Sequence, residues 1–136
     1  MRPAADAKVL LAAVLGGPTK LALTHPLVQE ALTTEPTFAE VEQYALVLSR
    51  EKRLPFDTLL LAVAALPVTL VSRAQYGRQI SEAHRRIGRR DPDDIDLLAL
   101  ALHWRVPIWS NDRDFENLNI DLFTTEALLR HLGVIQ

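Results

Sequence analysis

Apolar positions along this chain change their spacing repeatedly, and each change marks a switch between strand and helix. Arg2 to Ala5 leads into a brief first strand that ends at Asp6, and a helix is predicted from there to Leu15, stopped by Gly16-Gly17-Pro18. Thr19 to Leu23 predicts a short helix, and Leu27 to Leu32 a second strand. A long helix opens at Thr34: Pro36 falls in its first turn, and Thr37 and Glu40 have capping-box spacing. Val41, Ala45 and Leu48 then recur at core-facing intervals before the charged stretch Arg50 to Arg53. Pro55 to Leu66 predicts a mostly apolar helix, and β-branched Val68 to Val71 a third strand. Ala74 to Gly88 predicts a polar amphipathic helix with Tyr76, Ile80 and Ile87 inward.

The stretch Asp91 to Phe115 is the centre of the pattern. Leu97 to Leu102, all Leu and Ala, favours helix, and Asp91-Pro92-Asp93-Asp94 suits its start, because short acidic side chains accept from free N–H groups and oppose the dipole. Val106-Pro107-Ile108-Trp109 reads as a buried strand entered through a proline. Leu122 to Thr124 predicts a last strand, and Thr125 to Leu132 a closing helix ending at Gly133. Strands alternating with helices predict an α/β fold with a parallel sheet covered on both faces.

Composition narrows this only slightly. A length of 136 residues suits one domain over residues 1–136, and a 49% hydrophobic content with net charge -2 argues against a disordered or nucleic-acid-coating tail. The absence of cysteine excludes a disulfide framework and thiolate metal sites, and fits a reducing cytoplasmic compartment. Thr58 to Val71 is very apolar, but Pro67 interrupts it, and it falls short of the roughly 20 residues a membrane helix needs. Lys8 to Gly17 has a signal-peptide look, opposed by Asp6 in its flank and by the lack of a small-residue cleavage site.

The acids add chemistry. Taken singly, Asp6 reads as a turn residue, Glu40 as half of a capping box, Asp91, Asp93 and Asp94 as helix caps, and Asp112 and Asp114 as turn residues. Together they read differently. In a parallel sheet, Asp6, Asp112 and the start of the Asp94 helix all fall at the carboxyl edge, where open α/β sheets bind ligands, and Glu40 reaches that edge from the helix after the second strand. Two carboxylates about 5 Å apart repel by about 3 kcal/mol at an effective dielectric near 20, so four together require a counter-charge. Oxygen donors without Cys or a His set select Mg²⁺ or Mn²⁺, and metal-assisted phosphodiester hydrolysis is the matching reaction class.

These residues carry a resemblance to the PIN domain, a small metal-dependent ribonuclease fold found in many prokaryotic toxin–antitoxin toxins. Its carriers are Asp6-Ala7-Lys8-Val9-Leu10, Glu40 within Ala39-Glu40-Val41, Asp94 before Leu97 to Leu102, and Trp109-Ser110-Asn111-Asp112-Arg113-Asp114-Phe115. The 18-position interval from Asp94 to Asp112 is also similar to the family's. The resemblance implies a three-layer α/β/α sandwich with a central parallel sheet. It also implies a catalytic, metal-binding quartet of Asp6, Glu40, Asp94 and Asp112, with Asp114 as an auxiliary metal ligand. An RNA substrate, an antitoxin protein as partner and a homodimer follow from the same likeness, while the interrupted apolar run at Thr58 to Val71 is the reason to expect no membrane association. Lys8 stands where the family usually has Asn, and Asp96 is an extra acid expected to stand behind the ligands or face solvent.

Around the acids, Ser110 and Asn111 at the strand exit and the stripe Arg85, Arg86, Arg89 and Arg90 are the candidate substrate-binding residues, because an anionic polymer needs positive charge beside an acidic pocket. A solvated helix face is the alternative for the arginines. Trp104 and Trp109 are expected in the core or at an interface, and His25, His84, His103 and His131 show no ligand spacing. A non-catalytic PIN scaffold binding RNA or protein, with Lys8 in charge space meant for a metal, is the rival reading. A phospho-accepting receiver domain fits less well, since its acid pair after the first strand and its late lysine are missing.

Overall fold

A computed structural model describes residues 1–88 and 94–136. Five strands, β1 (Ala4–Ala5), β2 (Ala31–Thr34), β3 (Val68–Val71), β4 (Ile108–Trp109) and β5 (Leu122–Phe123), form a parallel sheet in the order β3-β2-β1-β4-β5. Between and after them run α1 (Ala7–Leu15), α2 (Gly17–Leu23), α3 (Glu35–Lys52), α4 (Phe56–Ala64), α5 (Arg73–Tyr76), α6 (Ile80–Ile87), α7 (Ile95–Trp104) and α8 (Thr125–His131). Among the described residues no helix is long and apolar enough to cross a membrane.

The pleat sorts the strand residues onto two cores, since successive side chains point to opposite faces. Ala5, Ala31 and Trp109 pack with α1, α2, α3, α4 and α8 on one side. Ala4, Leu32 and Ile108 pack with Tyr76 of α5, with α6 and with α7 on the other. This is the expected three-layer α/β/α arrangement. Central β1 is two fully buried alanines, small enough for helices to approach closely on both faces. Helix α7 is buried nearly all round, from Leu97 to Ala101, which accounts for its run of Leu and Ala.

Several boundaries differ from the sequence expectation, each for a local reason. The second strand begins at Ala31 because residues before it are spent in a turn: Val28 N–H donates to the His25 carbonyl (2.9 Å) and Leu27 N–H to the His25 ring Nδ1 (3.1 Å). The cap of α3 is Thr34, whose side chain accepts from Thr37 N–H at 3.0 Å, so the Thr37–Glu40 capping box is not formed. Thr34, the last residue of β2, has the extended backbone that an N-cap needs, whereas Thr37 already lies inside the helix. The predicted helix 74–88 is divided by a 3₁₀ turn at Gly77–Gln79, where glycine weakens the helical ladder. Val106 is withdrawn from β4 because its N–H closes the end of α7 on the Ala101 carbonyl, past Arg105 in a left-handed conformation.

The chain runs from β1 outward through β2 to β3, then crosses back to β4 and β5 on the other side of β1. The strand order therefore reverses between β1 and β4, and a crevice opens there at the carboxyl edge.

Candidate functional site

Two of the predicted acids leave the sheet at that crevice. The ladder continues one step past the strands: Asp6 N–H donates to the Trp109 carbonyl (3.1 Å) and Ser110 N–H to the Phe123 carbonyl (3.0 Å). Asp6 caps α1, with Oδ1 accepting from Val9 N–H at 2.8 Å, while Oδ2 accepts a short hydrogen bond from the Ser110 hydroxyl. The same Ser110 oxygen accepts from Asp112 N–H at 3.0 Å, so one buried hydroxyl sets both carboxylate-bearing segments. Asp112 in turn caps the 3₁₀ turn Arg113–Phe115, accepting from Asp114 N–H at 3.1 Å.

Glu40 and Asp94 arrive from helices. Glu40 lies past the first turn of α3, half-buried, and Oε2 accepts from the Tyr44 hydroxyl at 3.3 Å, one turn further on. Asp94 occupies the residue before α7, but its side chain does not cap that helix. All four acids line one pocket of about 80 Å³, together with Ala7, Lys8, Thr37, Tyr44 and Leu97. Segments separated by much of the chain thus meet on one small volume.

Burial dominates the electrostatics. Asp6 is only 7% exposed. Desolvation pushes its carboxyl above the ordinary range, opposed by the Ser110 and Val9 hydrogen bonds; the Asp112 charge raises it further and the Lys8 ammonium lowers it. The pocket therefore contains a carboxylate that is costly to ionise and would gain from a cation. Its all-oxygen donors suit a hard ion. Among the described residues, no three His, Asp or Glu side chains stand close enough to hold a metal by themselves. The donor chemistry fits Mg²⁺, which keeps several waters and uses few direct carboxylates, and does not fit a fully enclosing protein cage.

The remaining candidates separate. Asp114 does not line this pocket. Ser110 is fully buried and bonds to both acid-bearing segments, through the Asp6 carboxylate and the Asp112 N–H. Asn111 borders the neighbouring surface pocket with Asp6, Lys8, Asp112 and Arg113. Its amide, however, is committed to Thr125, accepting from N–H at 2.8 Å and donating to Oγ1 at 3.2 Å.

Arg85 and Arg86 line a different pocket, with Asn117, Leu118 and Asn119. Arg85 and Arg86 both donate to Glu82 at 2.9 Å, and Arg86 also donates to the Leu118 carbonyl at 3.1 Å. Arg86 thus pins the loop before β5 instead of facing the acids. Asp91, Asp93, Arg89 and Arg90 lie outside the described residues. Trp109 is fully buried with its indole N–H donating to Thr125 Oγ1 at 3.0 Å. Trp104 is 36% exposed, with the Arg2 guanidinium 5.0 Å from its ring centre.

Sequence reasoning missed Tyr44, Thr37 and Arg113. The four-residue step from Glu40 to Tyr44 is legible as a helix-face pair. Nothing in the order of residues announces that Thr37 and Arg113 border the acids.

A family model described as the PIN domain matches residues 5–133. No curated protein matches the chain. A crystal structure of VapBC2 from Rickettsia felis, bound to a DNA fragment from its promoter, has a similar fold. Its TM-score is 0.60 at 11% identity, and the match covers 91% of this chain and 98% of that one.

Proposed function

Because the chain belongs to the PIN domain family, we propose that it is a metal-dependent endoribonuclease that hydrolyses RNA phosphodiester bonds. The observation that carries this reading is the convergence of Asp6, Glu40, Asp94 and Asp112 on one pocket of about 80 Å³ at the switch point of the sheet. These four are the residues that would bind Mg²⁺ or Mn²⁺, with water completing the coordination, since no three described acids stand close enough to hold an ion by themselves. The chemistry that ion supplies when bound is activation of water and neutralisation of charge on a phosphodiester. Asp114, whose backbone N–H donates to Asp112, would be an auxiliary ligand beside these four.

The chain's own residues prepare that chemistry. Ser110 and the Val9 N–H hold both oxygens of Asp6, so its carboxylate enters the pocket already oriented. The Tyr44 hydroxyl donates to one oxygen of Glu40. Lys8 and Arg113 border the surface pocket that adjoins Asp6 and Asp112, where a polyanion would be attracted. They replace the arginines of α6 as the proposed substrate-facing cations. Likeness to a VapBC structure supports a toxin role with an antitoxin partner; a cytoplasmic homodimer accompanies that role.

Asp112→Asn is expected to abolish Mn²⁺-dependent RNA cleavage while the thermal midpoint stays within a few degrees. Cleavage at the wild-type rate would remove the catalytic assignment. A second reading, a PIN scaffold without catalysis, is favoured by one observation: Lys8 lines the same pocket as the four acids and already offsets the Asp6 charge. Titrating Mn²⁺ into wild type and Lys8→Asn distinguishes the two, since uptake by the variant alone supports the scaffold.

A further inference from the structure

We propose that Tyr76 is a positioning residue that sets the two helical arms of the acidic pocket against each other; this rests on reading that pocket as the metal site. Tyr76 is fully buried on the α7 side of the sheet, yet its hydroxyl is not spent on the core. It donates to Asp96 Oδ2 at 2.6 Å, and Asp96 lies in the first turn of α7, two positions after Asp94. The Thr34 side chain borders the same phenol. Thr34 is the cap of α3, its hydroxyl lies 2.7 Å from that of Thr37, and Thr37 lines the pocket one turn before Glu40. The buried phenol is therefore bonded to the start of the helix preceded by Asp94 and stands against the cap of the helix that carries Glu40.

The link is strong for physical reasons. A buried phenol donating to a carboxylate that is 15% exposed makes a charge-assisted bond shielded from water. Desolvation, then the Asp96 hydrogen bond and charge, push the phenol above its ordinary pKa, so it remains a donor at any working pH. Arg73, 65% exposed and 3.7 Å from Asp96, adds only a surface ion pair. The extra acid Asp96 thus gains a role: it is the acceptor through which Tyr76 holds α7.

Tyr76→Phe retains the ring and removes only the link. In the metal-free full-length protein, backbone amide resonances of Thr37, Glu40 and Asp94 are expected to shift, while the thermal midpoint moves little. On Mn²⁺ titration by calorimetry, affinity should fall about tenfold with stoichiometry unchanged, the scale of losing a residue that orients ligands. Asp96→Asn, which keeps an acceptor oxygen, should stay near wild type, and Asp96→Ala should behave as Tyr76→Phe. Unshifted amides in Tyr76→Phe overturn the proposal whatever the metal result, as does an affinity equal to wild type. If the wild type itself takes up no Mn²⁺, the metal reading falls, and the metal-free resonances decide the positioning role by themselves.

Discussion

The Ser110 hydroxyl donates to Asp6 Oδ2 across a sequence separation of 104 residues, joining the exit of β4 to the exit of β1. Both residues are buried, so this bond exchanges little with water. It decides where the most desolvated acid of the pocket points. The Asp112 N–H on the same oxygen makes Ser110 the common fastening of two proposed ligands.

Ser110→Ala should therefore damage stability and metal uptake together. Loss of one hydrogen bond to a charged group costs about 1–3 kcal/mol. Asp6 would retain Val9 N–H as a donor but lose the other, and its carboxyl would move further up. Urea unfolding and Mn²⁺ calorimetry measure the two effects. Full metal affinity in this variant would refute the fastening role.

Asp6 itself should limit the stability of the metal-free protein. Its folded pKa lies above the ordinary 3.8, so its contribution is fully present below that value and is lost as pH rises through the folded value. Asp6→Asn lacks this loss while keeping an acceptor for Val9 N–H. The variant should gain stability over wild type as pH rises from the ordinary carboxylate range to neutrality, and should lose RNA cleavage. Thermal midpoints across that range check the sign. A gap that narrows with rising pH would contradict it.

Glu82 should behave in the opposite sense. The Arg85 hydrogen bonds, then those of Arg86, hold it at about 2, below the ordinary 4.5. Its contribution is present above 4.5 and disappears as pH falls from there through about 2. Glu82→Gln should flatten the acid limb of the stability curve in that window, an effect kept small by solvent screening at this surface. It should leave cleavage intact at neutral pH, because Arg85 and Arg86 border the Asn117–Asn119 loop and not the acids.

Asn111 offers a separate test of what the β4 exit does. Its amide is occupied by Thr125 at the start of α8. Asn111→Ala is expected to cost about 1 kcal/mol of stability through the lost bonds, with RNA affinity unchanged by fluorescence anisotropy. A clear drop in affinity would return Asn111 to the substrate.

Much of the layered architecture was legible from residue order alone, because periodicity and capping are local. Val68 to Val71 could be read as a strand to the residue, and the helix after Asp6 was limited by its own cap and by Gly16. Strand β2 was read too early because Leu27 and Val28 are apolar and β-compatible; only their bonds to His25 show that they belong to a turn. The acids Asp6, Glu40, Asp94 and Asp112 stood out by type and spacing, and the pocket brings these four together.

What residue order could not decide is which side chains have polar capacity left after folding. Ser110, Asn111 and Arg86 stand out as polar groups in a string of letters, and only the fold shows that each also bonds a partner distant in sequence. Tyr76 and Asp96 are 20 positions apart and look unrelated, until α5 and α7 pack and one hydroxyl meets one carboxylate. Local chemistry is set by covalent neighbours, and so the sequence determined the elements and the supply of acids. Hydrogen-bond partners and desolvation depend on long-range packing, and so only the tertiary structure decided which groups face the pocket and which hold it in shape.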